Sequence, residues 1–457
     1  MKAITHFNKS ILATVFAFAF LLSVTPAIGQ TSITTSKGKT YHISSTSKNG
    51  VRTYHIKDGQ KDFRIEYEGD ITLSDDDKDI VAISRGGFIE IKKSSFGTKR
   101  RILIHNENGT LVKKYFVGWS EKPYSPDGKK WLSEILPEIL RTSTIAANTR
   151  VNRFYNKGGA KAVLKEVSSM NKDYVKSAYI KLLLEKNLNT SDLVKTIEFT
   201  GEYIKSDHYV SQILKSNQKA FLKSERTTTA YINATKNIGS DHYATSVLKK
   251  VIEDKEITDS QLATLLEITK GIKSDHYISQ LLKNIIDSRK LNARNMSKAL
   301  DLIKRMKSDH YKVSILKKAM NTKGLSKNNY NQFLNIVHDL KSDHYKATVV
   351  KVLLENKSAN SLNTALSIIN NNIRSSHYMA SMYKKMVETY NLSESQLIDV
   401  INSAEKNIRS SHNLSSVLVA LSKQVNRSSE KVKDAYKKAA KTIKSDTYYG
   451  RAMKAIN

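Results

Sequence analysis

The chain has no cysteine. Disulfide staples, cysteine metal sites and a lipid anchor on cysteine are therefore excluded. Prolines number only four, and the eighteen glycines lie mostly before residue 160. That asymmetry predicts a turn-rich first part and a helical remainder. Acid is scarce as well: 43 Asp and Glu face 75 Lys and Arg, a formal net charge of +32 and a sequence pI near 9.8. Such a balance implies an anionic neighbour, either a polyanion or an acidic surface. No stretch is long and apolar enough to span a bilayer. The longest run, Ile11 to Val24, has fourteen residues, short of the ~20 a spanning helix needs.

That short run has a different meaning. Lys2 and Lys9 precede it, and Pro26-Ala27-Ile28-Gly29 follow it with small residues where a signal peptidase cuts. Residues 1–29 are thus expected to be a signal peptide, cleaved near Gly29-Gln30. The mature protein is expected in the periplasm or outside the cell. Export makes nucleic acid a poor candidate for the anionic neighbour, and no nucleic-acid partner and no membrane span are expected.

What the chain has in abundance is one pentapeptide. Ser-Asp-His-Tyr, preceded by Lys or Gly, stands at Ser206-Asp207-His208-Tyr209, Ser240-Asp241-His242-Tyr243, Ser274-Asp275-His276-Tyr277, Ser308-Asp309-His310-Tyr311 and Ser342-Asp343-His344-Tyr345. The histidines of these copies are 34 residues apart. Looser copies follow at Ser375-Ser376-His377-Tyr378, Ser410-Ser411-His412-Asn413 and Ser445-Asp446-Thr447-Tyr448, and Asp173-Tyr174 reads as a degenerate first one. A fixed period of this size marks stacked supersecondary units.

Before the repeats, residues 30–125 read as a β-rich module. Thr40 to Ile43 and Val51 to Ile56 flank Asn49-Gly50, a strong hairpin signal. Phe63 to Tyr67, Phe88 to Lys92, Arg101 to His105 and Leu111 to Val117 alternate apolar and polar, as half-buried strands do. An antiparallel meander of six to eight strands is expected. The acidic run Asp75-Asp76-Asp77-Lys78-Asp79 lacks the alternating oxygens and central glycine of a calcium loop and reads as a solvated turn. Residues 126–205 form a helical junction. There Asp127 can cap a helix through Trp131 and Leu140, Pro137 predicts a kink or break, and Gly158-Gly159 predict a stop.

Each full repeat in 206–457 holds two helices. Ser and Asp of the pentapeptide are the expected N-cap pair: Ser206, Asp207, Ser240, Asp241, Ser274, Asp275, Ser308, Asp309, Ser342 and Asp343. The tyrosines Tyr209, Tyr243, Tyr277, Tyr311, Tyr345 and Tyr378 share a helical stripe with aliphatics such as Ile213 and Leu214, which places them in the expected core. Ile257-Thr258, Leu291-Asn292, Leu325-Ser326 and Leu392-Ser393 announce the second helix with an apolar residue and a cap former. Such pairs bury their apolar faces only by stacking. The fold class is therefore α+β by domains: an antiparallel β meander followed by a large αα-solenoid of seven to eight pairs, a HEAT- or TPR-like superhelix. The Trp, Gly-Tyr and Pro positions of a true tetratricopeptide unit are missing.

Trp131-Leu132, Leu136-Pro137-Glu138, Arg141-Thr142, Arg150-Val151, Gly158-Gly159 and Val163 to Val167, followed by Ser-Asp repeats, resemble a poorly characterised bacterial family of envelope-associated helical-repeat proteins. Similar repeats occur in extracytoplasmic parts of some BlaR-type sensor peptidases. The resemblance implies an interaction or sensory scaffold outside the cytoplasm. No peptidase activity carries over, because the chain has no His-Glu-x-x-His.

A recurring Ser-Asp-His invites a hydrolase triad, but neighbours on a helix point about 100° apart and do not converge. A metal-binding ladder of His208, His242, His276, His310, His344, His377 and His412 meets a similar obstacle. Packed helices sit roughly 8–10 Å apart, whereas zinc–nitrogen bonds of about 2.0–2.1 Å need ligands clustered on one ion. A pH-responsive edge is a further use for seven imidazoles that charge near about pH 6.5. The basic surface is patchy: residues 410–444 hold eight Lys and Arg against two acids, while 240–273 hold five against six. A continuous polyanion track would be basic in every rung. The expected function is a non-enzymatic scaffold, with no cofactor and no metal, that binds an envelope protein or peptide on the solenoid surface. The alternatives are a binder of anionic glycan or lipid headgroups through Lys-rich rungs, and a hydrolase in the β module.

Overall fold

The computed structural model describes residues 30–36, 39–48, 50–58, 61–95, 97–253, 257–288, 291–320, 326–355 and 359–456. The expected signal peptide, Asn49 and Leu325 lie outside them. The chain forms two compact units, one through Arg150 and one from Val151 onward.

In the first unit, β1 (Gln30–Ser36), β2 (Lys39–Lys48), β3 (Val51–Asp58) and β4 (Lys61–Glu68) run in sequence order. A small hairpin of β5 (Ile71–Leu73) and β6 (Ile80–Ile83) follows, and then β7 (Phe88–Ser95), β8 (Thr98–Glu107), β9 (Thr110–Val117) and β10 (Ser120–Lys122). Apart from the β5–β6 hairpin, the strands make one antiparallel eight-stranded sheet in the order β1-β2-β3-β4-β7-β8-β9-β10. This is the expected meander. Lys48 faces Val51 across the turn at Gly50, whose φ of 83° suits glycine. Period-2 alternation puts Ile65, Ile91, Ile102 and Ile104 on one face, all fully buried.

Helix α1 (Lys129–Thr142) buries Trp131, Leu132, Ile135, Leu136, Ile139 and Leu140. Trp131 sits 5.8 Å from the Tyr115 ring, and the Tyr54 and Thr144 hydroxyls bond at 2.6 Å. These contacts explain why the first unit extends past residue 125, where the sequence suggested a boundary. The α1 N-cap is Gly128, not Asp127, and the helix continues through Pro137. The acidic turn is not merely solvated either. Asp77 accepts from Nε and Nη2 of Arg150, at 3.1 and 2.8 Å, and Asp79 accepts from Lys113 at 2.7 Å. A guanidinium as buried as that of Arg150 needs a carboxylate partner.

Helix α2 (Ala147–Ser168) breaks at Gly158-Gly159, the expected stop, where Gly159 has φ 61°. The stacked pairs then begin. They are α3 (Asp173–Leu184) with α4 (Thr190–Tyr203), and α5 (Asp207–Ser216) with the short α6 (Gln218–Phe221) and α7 (Glu225–Ala234). Next come α8 (Asp241–Ile252) with α9 (Asp259–Thr269), α10 (Asp275–Ser288) with α11 (Ala293–Arg305), and α12 (Asp309–Met320) with α13 (Lys327–His338). The last are α14 (Asp343–Glu355) with α15 (Ala359–Asn372), α16 (Ser376–Thr389) with α17 (Glu394–Asn407), and α18 (Ser411–Val425) with α19 (Glu430–Lys441); α20 (Asp446–Lys454) ends the stack. First helices pack on first helices and second on second, the arrangement of an α-solenoid. Ile213, Leu214, Val247, Leu248, Leu281, Leu282, Ile315 and Leu316 recur as its fully buried layer. Among the described residues no helix is long and apolar enough to cross a membrane.

Candidate functional site

The pentapeptide opens α5, α8, α10, α12 and α14, the first helices of five successive rungs, and its looser copies open the others. Each serine occupies the N-cap, its carbonyl accepting the first helical bond: Ser206 from Val210, Ser240 from Ala244, Ser274 from Ile278, Ser308 from Lys312 and Ser342 from Lys346, at 2.9–3.1 Å. Side-chain capping is patchier than expected. Ser240 Oγ accepts from the Tyr243 amide at 3.5 Å, while the Ser206 side chain makes no cap bond.

The aspartate does not cap its own helix. It stands at the first helical position, and its carboxylate reaches the next rung. Asp207 accepts from the amides of Gly239 and Ser240, Asp241 from Lys273 and Ser274, and Asp275 from Lys307 and Ser308. Asp309 does the same for Lys341 and Ser342, and Asp343 for Arg374 and Ser375. The degenerate first copy keeps the device: Asp173 accepts from Lys205 and Ser206 at 2.9 and 2.7 Å. The reason is geometric. Two amides just ahead of a helix lack intrahelical partners, and a carboxylate one rung away can accept from both with a charge-assisted bond. Ser376, which replaces the aspartate in a looser copy, manages one such bond, to the Arg409 amide at 3.2 Å.

The tyrosines are half-buried rather than core, which corrects the expectation for Tyr209, Tyr243, Tyr277, Tyr311, Tyr345 and Tyr378. Their third helical position lies at the rim, and the buried layer starts one residue later with Val210, Ala244 and Ile278. Their rings instead meet the histidines, all seven of which are exposed. Each of His208, His242, His276, His310 and His344 stands edge-on to its own tyrosine at 5.2–5.3 Å and to the tyrosine of the next rung at 5.9–6.4 Å. His377 closes on Tyr378 at 5.3 Å. The result is an unbroken aromatic run from Tyr209 to His377 along one edge of the solenoid. Tyrosine hydroxyls reinforce it with long contacts of 3.4–3.5 Å to Nδ1 of His208, His242, His276 and His344. The run stops where Asn413 replaces tyrosine, and resumes as His412 against Tyr448 at 5.3 Å. At the first rung, burial and then the Asp173 carboxylate push the Tyr209 hydroxyl above its usual pKa.

This arrangement does not converge as a catalytic centre. The aspartates serve backbone amides and the imidazoles serve tyrosines. Among the described residues, no three His, Asp or Glu side chains cluster so as to hold a metal ion. No family model and no curated protein matches the chain. One solved structure that is similar, described as "Computational Design of Self-Assembling Cyclic Protein Homooligomers", is 11% identical over 71% of this chain and 94% of its own, with a TM-score of 0.10. A likeness that slight carries no argument.

The second helices hold a device that pattern reading missed. Thr258, Asn292, Ser326 and Ser393 are side-chain N-caps, as their spacing predicted. Three residues on, the buried Gln261, Asn295 and Asn329 each donate to the carbonyl that starts the previous second helix, on Glu225, Asp259 and Ala293, at 3.0–3.1 Å. From the α5–α7 rung to the α12–α13 rung, successive rungs are thus tied on both flanks, by a carboxylate on one and a carboxamide on the other. The amide residue three places after each cap was the available signal.

Proposed function

We propose that the chain is an exported interaction scaffold that binds a protein or peptide of the cell envelope along the His–Tyr edge of its solenoid. The observation that carries this reading is the aromatic run from Tyr209 to His377, its histidines exposed and its tyrosines half-buried. Rings with polar tips supply apolar contact and hydrogen bonds together, which is why aromatics are enriched at interfaces. Every ring between the two ends is held between two others, so little side-chain freedom is lost when a partner docks. Rungs of packed helices repeat at roughly 8–10 Å. One turn of an extended polyproline-type peptide, three residues at about 3.1 Å each, is commensurate with that spacing. Export is supported by Lys2, Lys9, the Ile11 to Val24 run and the small residues before Gln30.

Crosslinking in intact cells, followed by identification of what is captured, tests the reading. A protein or peptide of the envelope is expected, and its capture should fall at least about tenfold in a His242→Ala, His276→Ala, His310→Ala variant with an unchanged melting curve. Undiminished capture by that variant, or recovery of the chain in the cytoplasm with residues 1–29 still attached, rejects it.

A further inference from the structure

The sheet holds a second feature, unrelated to the repeats. Gly118 and Trp119 form a two-residue hairpin loop, since Val117 pairs with Ser120 and Gly118 has φ 62°. The Gly118 amide donates to the Lys99 carbonyl at 2.8 Å, fixing the loop beside the start of β8. Trp119 is 97% exposed, whereas the other tryptophan, Trp131, is buried. An indole held out on a tight, anchored turn serves no packing purpose in the chain.

Beside it opens a cleft of about 460 Å³, within the range of small-ligand sites. Residues of both strand parities line it, so it wraps the end of the sheet rather than lying flat on one face. Its cations are Arg64, Lys92, Lys93, Lys99, Arg100 and Arg101, against a single acid, Asp62. Most of these are engaged. Lys92 and Arg101 pair with Glu90, Arg64 pairs with Glu66, and Lys93 lies 4.3 Å from the Phe63 ring centre. Asp62 in turn bonds His55 at 2.6 Å. Lys99 and Arg100 have no acidic partner among the described residues. The cleft therefore keeps a net positive field, with two uncommitted cations next to a bare aromatic face.

We propose that this cleft binds an acidic saccharide, its carboxylate or phosphate on Lys99 and Arg100 and one sugar ring on Trp119. A sugar presents a C–H face that stacks on a single indole, and its hydroxyls suit the Asp62 and Arg64 side chains. Single-stranded nucleic acid takes a succession of aromatic platforms, and this cleft has one. A membrane surface takes an apolar flank beside the indole, and the exposed neighbours of Trp119 along the chain are Gly118, Ser120, Glu121 and Lys122, one of them acidic. The site is independent of the His–Tyr edge and of its partner.

Calorimetry and tryptophan fluorescence on the purified full chain test it, with oligogalacturonate and a phosphomannan fragment as acidic probes and maltotriose as the neutral control. Both acidic probes are expected to bind and maltotriose to fail. Trp119→Ala should weaken binding about tenfold and abolish the fluorescence change, which separates it from Trp131. Lys99→Ala with Arg100→Ala should weaken binding about tenfold and flatten its salt dependence. All three side chains are exposed, so unfolding curves should not move. Failure of both acidic probes, or equal binding by Trp119→Ala, overturns the proposal. So does tighter, Trp119-dependent binding of phosphatidylglycerol vesicles or oligothymidylate, which would assign the cleft to a lipid surface or to nucleic acid.

Discussion

Removing one aspartate carboxylate should loosen the following rung, not the helix that carries it. In Asp275→Ala the amides of Lys307 and Ser308 each lose an acceptor at 2.8 Å. A hydrogen bond to a charged group contributes about 1.5–3 kcal/mol when buried. Asp275 is half-exposed and Lys307 is exposed, so water replaces part of that loss. An overall cost of about 2 kcal/mol is expected, most of it at the better-buried Ser308. In a nearest-neighbour stack that energy is felt locally. Native-state amide hydrogen exchange is the assay, because it reads each rung separately where a single melting point does not. The Ser308 amide should exchange about 30-fold faster, with the start of α12 following, while α10 keeps its protection. Asp275→Asn, which retains an acceptor oxygen, should lie between. Loss of protection confined to the first turn of α10 would restore the simple capping role and refute the inter-rung one.

Three further outcomes follow from the same geometry. Tyr277→Ala removes a half-buried ring that touches both His242 and His276 and should cost about 1–2 kcal/mol, whereas His276→Asn at an exposed site should cost under about 0.5 kcal/mol; equal costs in denaturant unfolding would contradict the assigned roles. Ser376→Asp restores the carboxylate that would accept from both Arg409 and Ser410, and should stabilise the C-terminal rungs by about 0.5–1 kcal/mol, read as slower exchange of those two amides. For Glu90, burial pushes the carboxyl pKa up, but hydrogen bonds from Lys92 and Arg101 outweigh it and leave the value below its ordinary 4.5. A depressed folded value means stability present above that pH and lost as the pH falls through the folded value, so Glu90→Gln should flatten the acid limb of the unfolding profile.

The architecture was legible because the repeat writes its punctuation into side chains: a 34-residue spacing, an apolar residue before each second-helix cap, Asn and Gly at hairpin turns. What stayed hidden was what lies between rungs. The groups Asp207 serves are backbone amides 32 and 33 residues on, and a backbone amide leaves no mark in sequence. The tyrosines misled for a related reason. A helical stripe predicts a face, but the third helical position sits at the rim of the stack, and only packing shows which side of the rim is wet. Gln261, Asn295 and Asn329 do one job with two residue types, and what each serves is a backbone carbonyl 36 residues back. The basic cleft is assembled by cross-strand register, in which Arg64 faces Lys92 and Lys92 faces Arg101, so residues distant in sequence become one surface.

The most direct test of a scaffold that works through its His–Tyr edge is site-resolved photocrosslinking in intact cells. A photoreactive residue at exposed Gln280, whose side chain contacts His276 at 2.9 Å, is compared with one at exposed Asp301 on the second helix of the same pair. An envelope protein or peptide captured from position 280 and not from 301 is the predicted result. No capture from 280, or equal capture from both positions, would contradict an edge built for binding.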